Sequence, residues 1–261
     1  MRITRYLLLT ANVIAPVWWL TADFCLLAAA VMGLVHMLTL WATLWPSCRW
    51  WGDVLCQFET DKPEVWITID DGPDGGHTRA TMDLLEEKEA RATFFFIAER
   101  CQSEPGIVRQ VIHRGHGVGN HTCCHPAYTF WSLGPRRLRE EIGGCSTQIE
   151  QLTGVAPVLF RAPVGMRNCF VHPILRRLGL KLVAWSTRGF DGSRDDVERV
   201  VSRIARRIKP GAIILLHEGR RTGGGGSLIA KTLPKVLEII ESRELKAVIP
   251  TISQLRRNTR R

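Results

Sequence analysis

From Val65 onward the chain alternates short apolar, β-branched runs with longer stretches whose apolar residues recur at helical spacing. No other feature limits the fold as much. Strand-like runs occupy Val65–Ile69, Thr93–Ile97, Gly117–Asn120, Val158–Phe160, Leu180–Trp185, Ala212–Leu216 and Ala247–Ile249. Between them lie helical patterns, for instance Leu138, Ile142, Cys145, Ile149 and Leu152, or Val197, Val200, Val201, Ile204 and Ile208. Strand followed by helix, repeated about seven times, specifies a parallel sheet covered by helices. The sheet is either doubly wound or closed like a barrel, and both arrangements put function at the carboxyl ends of the strands.

The chain before this pattern is a different material. Tyr6 to Ala22 carries no charge, Asp23 interrupts, and Phe24 to Pro46 again carries none. The second segment is long enough to cross a bilayer, while the first is marginal and contains Pro16. No small-residue cleavage site follows, so residues 1–47 read as a membrane anchor of one or two transmembrane helices rather than a cleaved leader. As a hairpin, the anchor would put Arg2, Arg5 and Arg49 on one side, which the positive-inside rule assigns to the cytoplasm. Cys56, Cys101, Cys123, Cys124, Cys145 and Cys169 are scattered without a disulfide-framework spacing, as in reducing compartments. The expected location is the cytoplasmic membrane of a bacterial-type cell, with the soluble part on the cytoplasmic face. Residues 48–63 read as a linker whose Trp50 and Trp51 suit the headgroup level, and 64–261 as the soluble domain. The net charge of +10 suits an anionic lipid surface or a phosphate-bearing substrate. Nucleic acid is not expected, because no basic-aromatic motif or DNA-binding helix pair is present.

Polar clusters stand at the strand ends: Asp70 and Asp71 after the first, "NHTCCH" after the third, "RAPVG" after the fourth, "WSTRGFD" at the fifth and "HEG" after the sixth. Adjacent carboxylates at the end of a buried strand repel unless a proton or cation neutralises one of them. His121 and His125, spaced i,i+4, would share one face of a helical turn and present two nitrogens to one metal. With one aspartate they make a two-histidine, one-carboxylate set that leaves coordination positions open, and the other aspartate is free to accept a proton. Cys123 and Cys124, the rival ligands, would point away in helical phase. Arg161 can hold the second aspartate ionised and aimed, and His217 is placed to protonate a leaving group. Leu215 and Trp185 could form an apolar wall.

Taken together, "TIDDGP" (68–73), "HTCCH" (121–125), "RAPVG" (161–165) and "LLH" (215–217) resemble, in order and spacing, the polysaccharide deacetylases, the NodB-homology domains of carbohydrate esterase family four. The resemblance spans residues 64 to about 250 and implies an α/β fold, a distorted (β/α) barrel of about seven strands. It implies removal of acetyl groups from sugars with a divalent metal, most often zinc, with cobalt, manganese or nickel as alternatives. Asp70 would be the general base, Asp71, His121 and His125 the metal ligands, Arg161 the residue orienting the base and His217 the general acid. Leu215 and Trp185 would line the acyl pocket, and a backbone N–H beside Pro163 would face the oxyanion. The family's Asp-x-x-Asp-Trp stretch is absent. "WSTRGFD" replaces it, leaving the partner of His217 open and offering Arg188 and Asp191 to the substrate. An arginine there suits a phosphate, so the substrate expected is an N-acetylated sugar of a glycan or a polyprenyl-phosphate-linked sugar. The alternatives are a catalytically silent barrel that binds a glycan or partner, and an exported deacetylase acting on cell-surface polysaccharide. The loop "RRTGGGGS" (220–227) could serve as a lid.

Overall fold

The run "EVWITIDDG" forms strand β1 (Glu64–Gly72), buried along most of its length as expected of a strand covered on both faces. In the computed structural model, which describes residues 26–255 apart from 194, 195, 221 and 223–225, together with 7, 10–14, 16 and 17, β1 lies inside a sheet of parallel strands. The others are β2 (Ala92–Phe96), β3 (Gly117–Asn120), β4 (Leu159–Phe160), β5 (Lys181–Leu182), β6 (Thr187–Arg188), β7 (Ile213–His217) and β8 (Lys246–Ala247). Their order is β5-β4-β3-β2-β1-β7-β6, with β8 also pairing β1. The result is a curled, incomplete barrel. The helices are α1 (Leu26–Leu44), α2 (Gly75–Glu87), α3 (Ala98–Ser103), α4 (Pro105–His113), α5 (Pro135–Thr153), α6 (Val171–Arg177), α7 (Val197–Ala205) and α8 (Leu228–Ser242).

Side-chain alternation divides the sheet into two faces. Ile67, Ile69, Phe94, Phe96, Ile214 and Leu216 pack outward under the helices against Met82, Leu85, Val108 and Leu233. Trp66, Phe95, Val183 and Ile213 turn inward and form a separate core. Helix ends follow local chemistry: α5 starts with a proline in its first turn and stops at Gly154 in the left-handed region (φ 74°). At the start of α7 the Asp196 carboxylate accepts from the Arg199 N–H at 3.0 Å.

Two expectations change. Residues 48–63 are not a free linker, because Trp51, Val54 and Phe58 are buried. Leu55 bridges to Val183 beside β5 and Gln57 to Ala212 at the foot of β7, so this segment fills the seam between the unpaired sheet ends. The strand expected over Leu180–Trp185 is shorter, and a further strand, β6, lies in "TR".

The sheet end of α1 is fastened to the soluble part. Arg167, with its side chain buried, donates from Nη1 to the Pro46 carbonyl at 3.0 Å and from Nη2 to that of Cys48, while its backbone N–H reaches the Thr43 carbonyl at 3.1 Å. These are carbonyls at and just beyond a helix C-terminus, which otherwise lack partners. Residues 27–44 of α1 are long and apolar enough to cross a membrane. Most of the first apolar segment, with Asp23, lies outside the described residues. Residues 10–14 are helical, and Asn12 Nδ2 donates to Thr39 Oγ1 of α1 at 2.8 Å.

Glu218, next to the end of β7, is buried with Oε2 accepting from Thr78 at 2.6 Å and Oε1 unpartnered among the described residues. Burial pushes its carboxyl from 4.5 up to about 8. The folded state therefore prefers the proton. That preference stabilises fully below the ordinary carboxyl range and is lost as pH rises through about 8. The melting temperature of the Glu218→Gln variant should accordingly gain on wild type between pH 5 and pH 8, read by thermal scans across that range.

Candidate active site

Successive strand residues point to opposite faces, yet Asp70 and Asp71 both belong to one cluster. The register between β1 and β2 slips between Asp70 and Gly72, a bulge, and Asp71 sits at φ 70°. The bulge turns the second carboxylate back to the rim. Four of the six other non-glycine residues with positive φ among the described residues, Thr122, His125, Val164 and Phe190, also lie in loops at the carboxyl ends of strands, whereas Glu89 and Glu244 follow helices. Such backbone costs of order 1–3 kcal/mol per residue and persists where the surroundings dictate it.

Asp70 is buried and accepts from Arg161 Nη1 at 2.7 Å. Arg161 is fully buried and donates also to Thr68 Oγ1 (2.8 Å) and to the carbonyls of Ala184 (2.9 Å) and Val183 (3.3 Å), with its guanidinium 4.3 Å from the Phe95 ring centroid. Each of these contacts holds the fork in one orientation, so the carboxylate it grips is fixed as well.

His121 and His125 come from an irregular loop after β3, not from the helical turn read from their spacing. The Asn120 side chain accepts from the Thr122 N–H (2.9 Å), Thr122 Oγ1 accepts from the His125 N–H (3.1 Å), and the buried Glu141 carboxylate of α5 accepts from the N–H groups of Cys123 (3.0 Å) and Cys124 (3.1 Å). The loop nevertheless brings both imidazoles to Asp71. Asp71 Oδ1 lies 3.4 Å from His121 Nε2 and 3.3 Å from His125 Nε2. The two thiols face α5, with Cys124 Sγ 3.0 Å from Glu141 Oε1 and Cys123 Sγ 3.4 Å from the Glu140 carbonyl.

These three residues fit a divalent cation. Asp71 Oδ1 is buried without a hydrogen-bond partner among the described residues, and the three ligand atoms lie within 4.8 Å of one another. His121 Nδ1 donates to the Arg161 carbonyl at 2.9 Å, which fixes the tautomer and leaves Nε2 to ligate. Burial alone would raise the Asp71 carboxyl, but the His121 imidazole, with His217 and His125 behind it, holds it below its usual range. Burial and the neighbouring His121 push His125 down to about 4, so it is neutral. Burial opposes charge on His121, yet Asp70 and Asp71 outweigh it and raise its pKa, so the cluster favours a positive charge among its members. Two nitrogens and one carboxylate are a donor set for zinc or a similar ion.

His217 ends β7 in register with Asp70. Its Nδ1 is 3.0 Å from Asp191 Oδ1, and its backbone N–H donates to Asp191 Oδ2 at 2.7 Å. Asp191, expected to touch substrate, is instead 2 % exposed and engaged with both groups of His217. The partner left open by the missing motif is thus supplied from "RGFD", where only the identity of the aspartate hinted at it. Burial would lower the His217 pKa, but the Asp191 carboxylate, then Asp70 and Asp71, raise it to about 9. Leu215 is buried two residues before His217, and Trp185 is half-buried against Arg161 and Arg188, with guanidinium-to-ring distances of 5.9 and 5.1 Å. Arg188 is turned to a groove outside the cluster. Half of the "RRTGGGGS" loop lies outside the described residues.

Comparison with known proteins finds relatives of the chain and of its fold. The family profile described as polysaccharide deacetylase matches residues 57–183. A peptidoglycan-N-acetylglucosamine deacetylase of Bacillus cereus is 34% identical over 79% of this chain and 94% of its own. A chitooligosaccharide deacetylase of Sinorhizobium fredii is 34% identical over 61% of this chain and 74% of its own. Among solved structures, a carbohydrate esterase family four pseudoenzyme from Bacillus anthracis shares the fold with a TM-score of 0.66 at 21% identity, covering 74% of this chain and 66% of that one. The order of strand-end motifs, the curled parallel sheet and a relative 34% identical and matched over 94% of its length have one reading: the chain belongs to the polysaccharide deacetylase family.

Proposed function

We propose that the protein is a metal-dependent hydrolase that removes an N-acetyl group from an amino sugar of a membrane-associated glycan, with α1 and the segment before it spanning the membrane and the barrel on the cytoplasmic face. The observation that carries the chemistry is the convergence of three arrangements on one rim: Asp70 gripped by Arg161, Asp71 between two imidazoles, and His217 on Asp191. A binding protein has no use for such a set. The silent-barrel reading draws support from the pseudoenzyme that shares the fold.

A divalent cation held by Asp71, His121 and His125 would polarise the acyl oxygen and the attacking water. Asp70, held in place by Arg161 at 2.7 Å, accepts the proton of that water. His217, held in its protonated form by Asp191, donates a proton to the departing amine, and Asp191 fixes its orientation throughout. Trp185 and Leu215 offer apolar surface to the acetyl methyl. The full chain, purified in detergent and supplied with zinc, should release amine from N-acetylated chitotetraose, and Asp70→Asn should lower the rate by about 10²–10⁴-fold. Unchanged release in that variant would sink the assignment of the base, and no release by wild type from any N-acetylated glycan would favour the silent barrel.

The acid must carry its proton, so kcat/KM should decline as pH rises through the His217 pKa of about 9. Asp191→Asn removes the main group raising that pKa, and the decline should move to lower pH. A pH–rate profile whose alkaline limb does not move would assign that limb to another group.

A further inference from the structure

Beside the catalytic cluster, along the seam of the sheet, runs a groove of about 2170 Å³ whose lining extends from Trp45, just past α1, by way of Trp185 to Arg203 on α7. None of the residues assigned to proton transfer or metal binding lines it. The Phe190 ring is part of its lining and has the Arg188 guanidinium 4.0 Å and the Arg203 guanidinium 5.2 Å from its centroid. Arg188 also lies over Trp185 at 5.1 Å. Two cations on one ring repel, and among the described residues no carboxylate forms a direct ion pair with Arg188, Arg203 or the neighbouring Arg206, although Asp191 acts on Arg188 from a distance. The one carboxylate next in sequence to Phe190, Asp191, is committed to His217. Phe190 itself is 40% exposed and held at φ 68°. An exposed aromatic residue in a left-handed backbone conformation, presenting two guanidiniums with no direct ion-pair partner among the described residues in a groove where arginines and lysines outnumber Asp53, Glu59 and Asp61, is an arrangement that an anion between the guanidiniums would complete.

The anion's chemistry follows from the donors. Arginine forks match phosphate oxygens two at a time, and the aromatic faces hold the forks in place. Its position follows from Trp185, which lies between Arg188 and Arg161, the latter 5.9 Å away on the catalytic side. One indole therefore separates the phosphate position from the residue that grips Asp70. At the other end, Trp45 is 55% exposed and Leu44 is 43% exposed, where α1 enters the apolar layer assigned to it above. We propose, resting on the deacetylase reading, that this groove is a phosphate subsite taking the phosphate of a lipid-linked amino sugar, with the acylated sugar turned toward Asp71 and the lipid chain toward α1.

Binding can be tested apart from turnover. The full chain in dodecyl maltoside would be titrated calorimetrically with dodecyl phosphate, N-acetylglucosamine 1-phosphate and inorganic phosphate, and amine release from N-acetylated chitotetraose would be measured on the same preparation. Dodecyl phosphate should bind at least tenfold more tightly than inorganic phosphate, and Arg188→Gln and Arg203→Gln should each weaken it tenfold or more with unchanged melting temperature. Equal affinity for all three phosphates would overturn the lipid part of the proposal, leaving a subsite for soluble phosphates. Absence of binding, or binding indifferent to both substitutions, would overturn it whole. Because chitotetraose carries no phosphate, its turnover reports separately on the deacetylase reading.

Discussion

Asp71→Asn is expected to abolish both stoichiometric metal binding and turnover while leaving the fold in place. The carboxylate is the one anionic member of the three-residue cluster, and its Oδ1 faces both imidazoles at 3.3–3.4 Å. A neutral amide would leave two nitrogens and a weak carbonyl oxygen for the cation. Loss of the cation removes several kcal/mol of charge stabilisation, on the order of 10³-fold or more in kcat/KM. Asparagine is the informative substitution because, unlike alanine, it tolerates the positive φ of this position. Metal analysis of the purified variant, beside its melting temperature, separates the outcomes: about one zinc per chain retained with full activity would remove Asp71 from the site.

Arg161→Met should be the most damaging single substitution to the barrel interior. The guanidinium is fully buried and donates to Asp70, Thr68 and two carbonyls, so its removal strands a buried carboxylate and several acceptors together. Breaking a buried pair by removing one partner costs about 3–5 kcal/mol, and a mispositioned base costs about 10²–10⁴-fold in rate. Adding Asp70→Asn to Arg161→Met should recover part of the stability and none of the activity, a coupling that chemical denaturation of the single and double variants would measure. Additive losses would mean that the pair contributes nothing as a unit.

Much of the sheet was legible because β1, β2 and β7 are long apolar runs and because Leu138, Ile142, Cys145 and Ile149 mark one face of α5. β6 was not, since two residues in "STRG" carry no periodicity. Which residues meet at the rim was also largely legible, because every strand of a parallel sheet ends on the same side. How they are presented was not. The spacing of His121 and His125 suggested a helical turn, but the loop is shaped by the carboxylate of Glu141, well along the chain. Asp191 was seen as a polar group at the right end of the sheet, but its role depends on a contact with His217 made 26 residues away in sequence. The segment before β1 looked like a tether because Trp51, Val54 and Phe58 have no strand-like or helix-like spacing, and their burial comes only from the gap in the sheet.

That gap bears on how the molecule behaves in company. A complete barrel has no free edges, whereas this sheet ends at β5 with backbone groups turned outward. Leu55 occupies them: its N–H donates to the Leu182 carbonyl at 2.9 Å, and its carbonyl accepts from Ala184 at 2.8 Å. Unpaired edge groups are a template on which another chain can add a strand. A fragment beginning at Glu64 would keep every reactive group of the rim and lose this cover, so its failure would take the form of self-association and aggregation rather than altered chemistry.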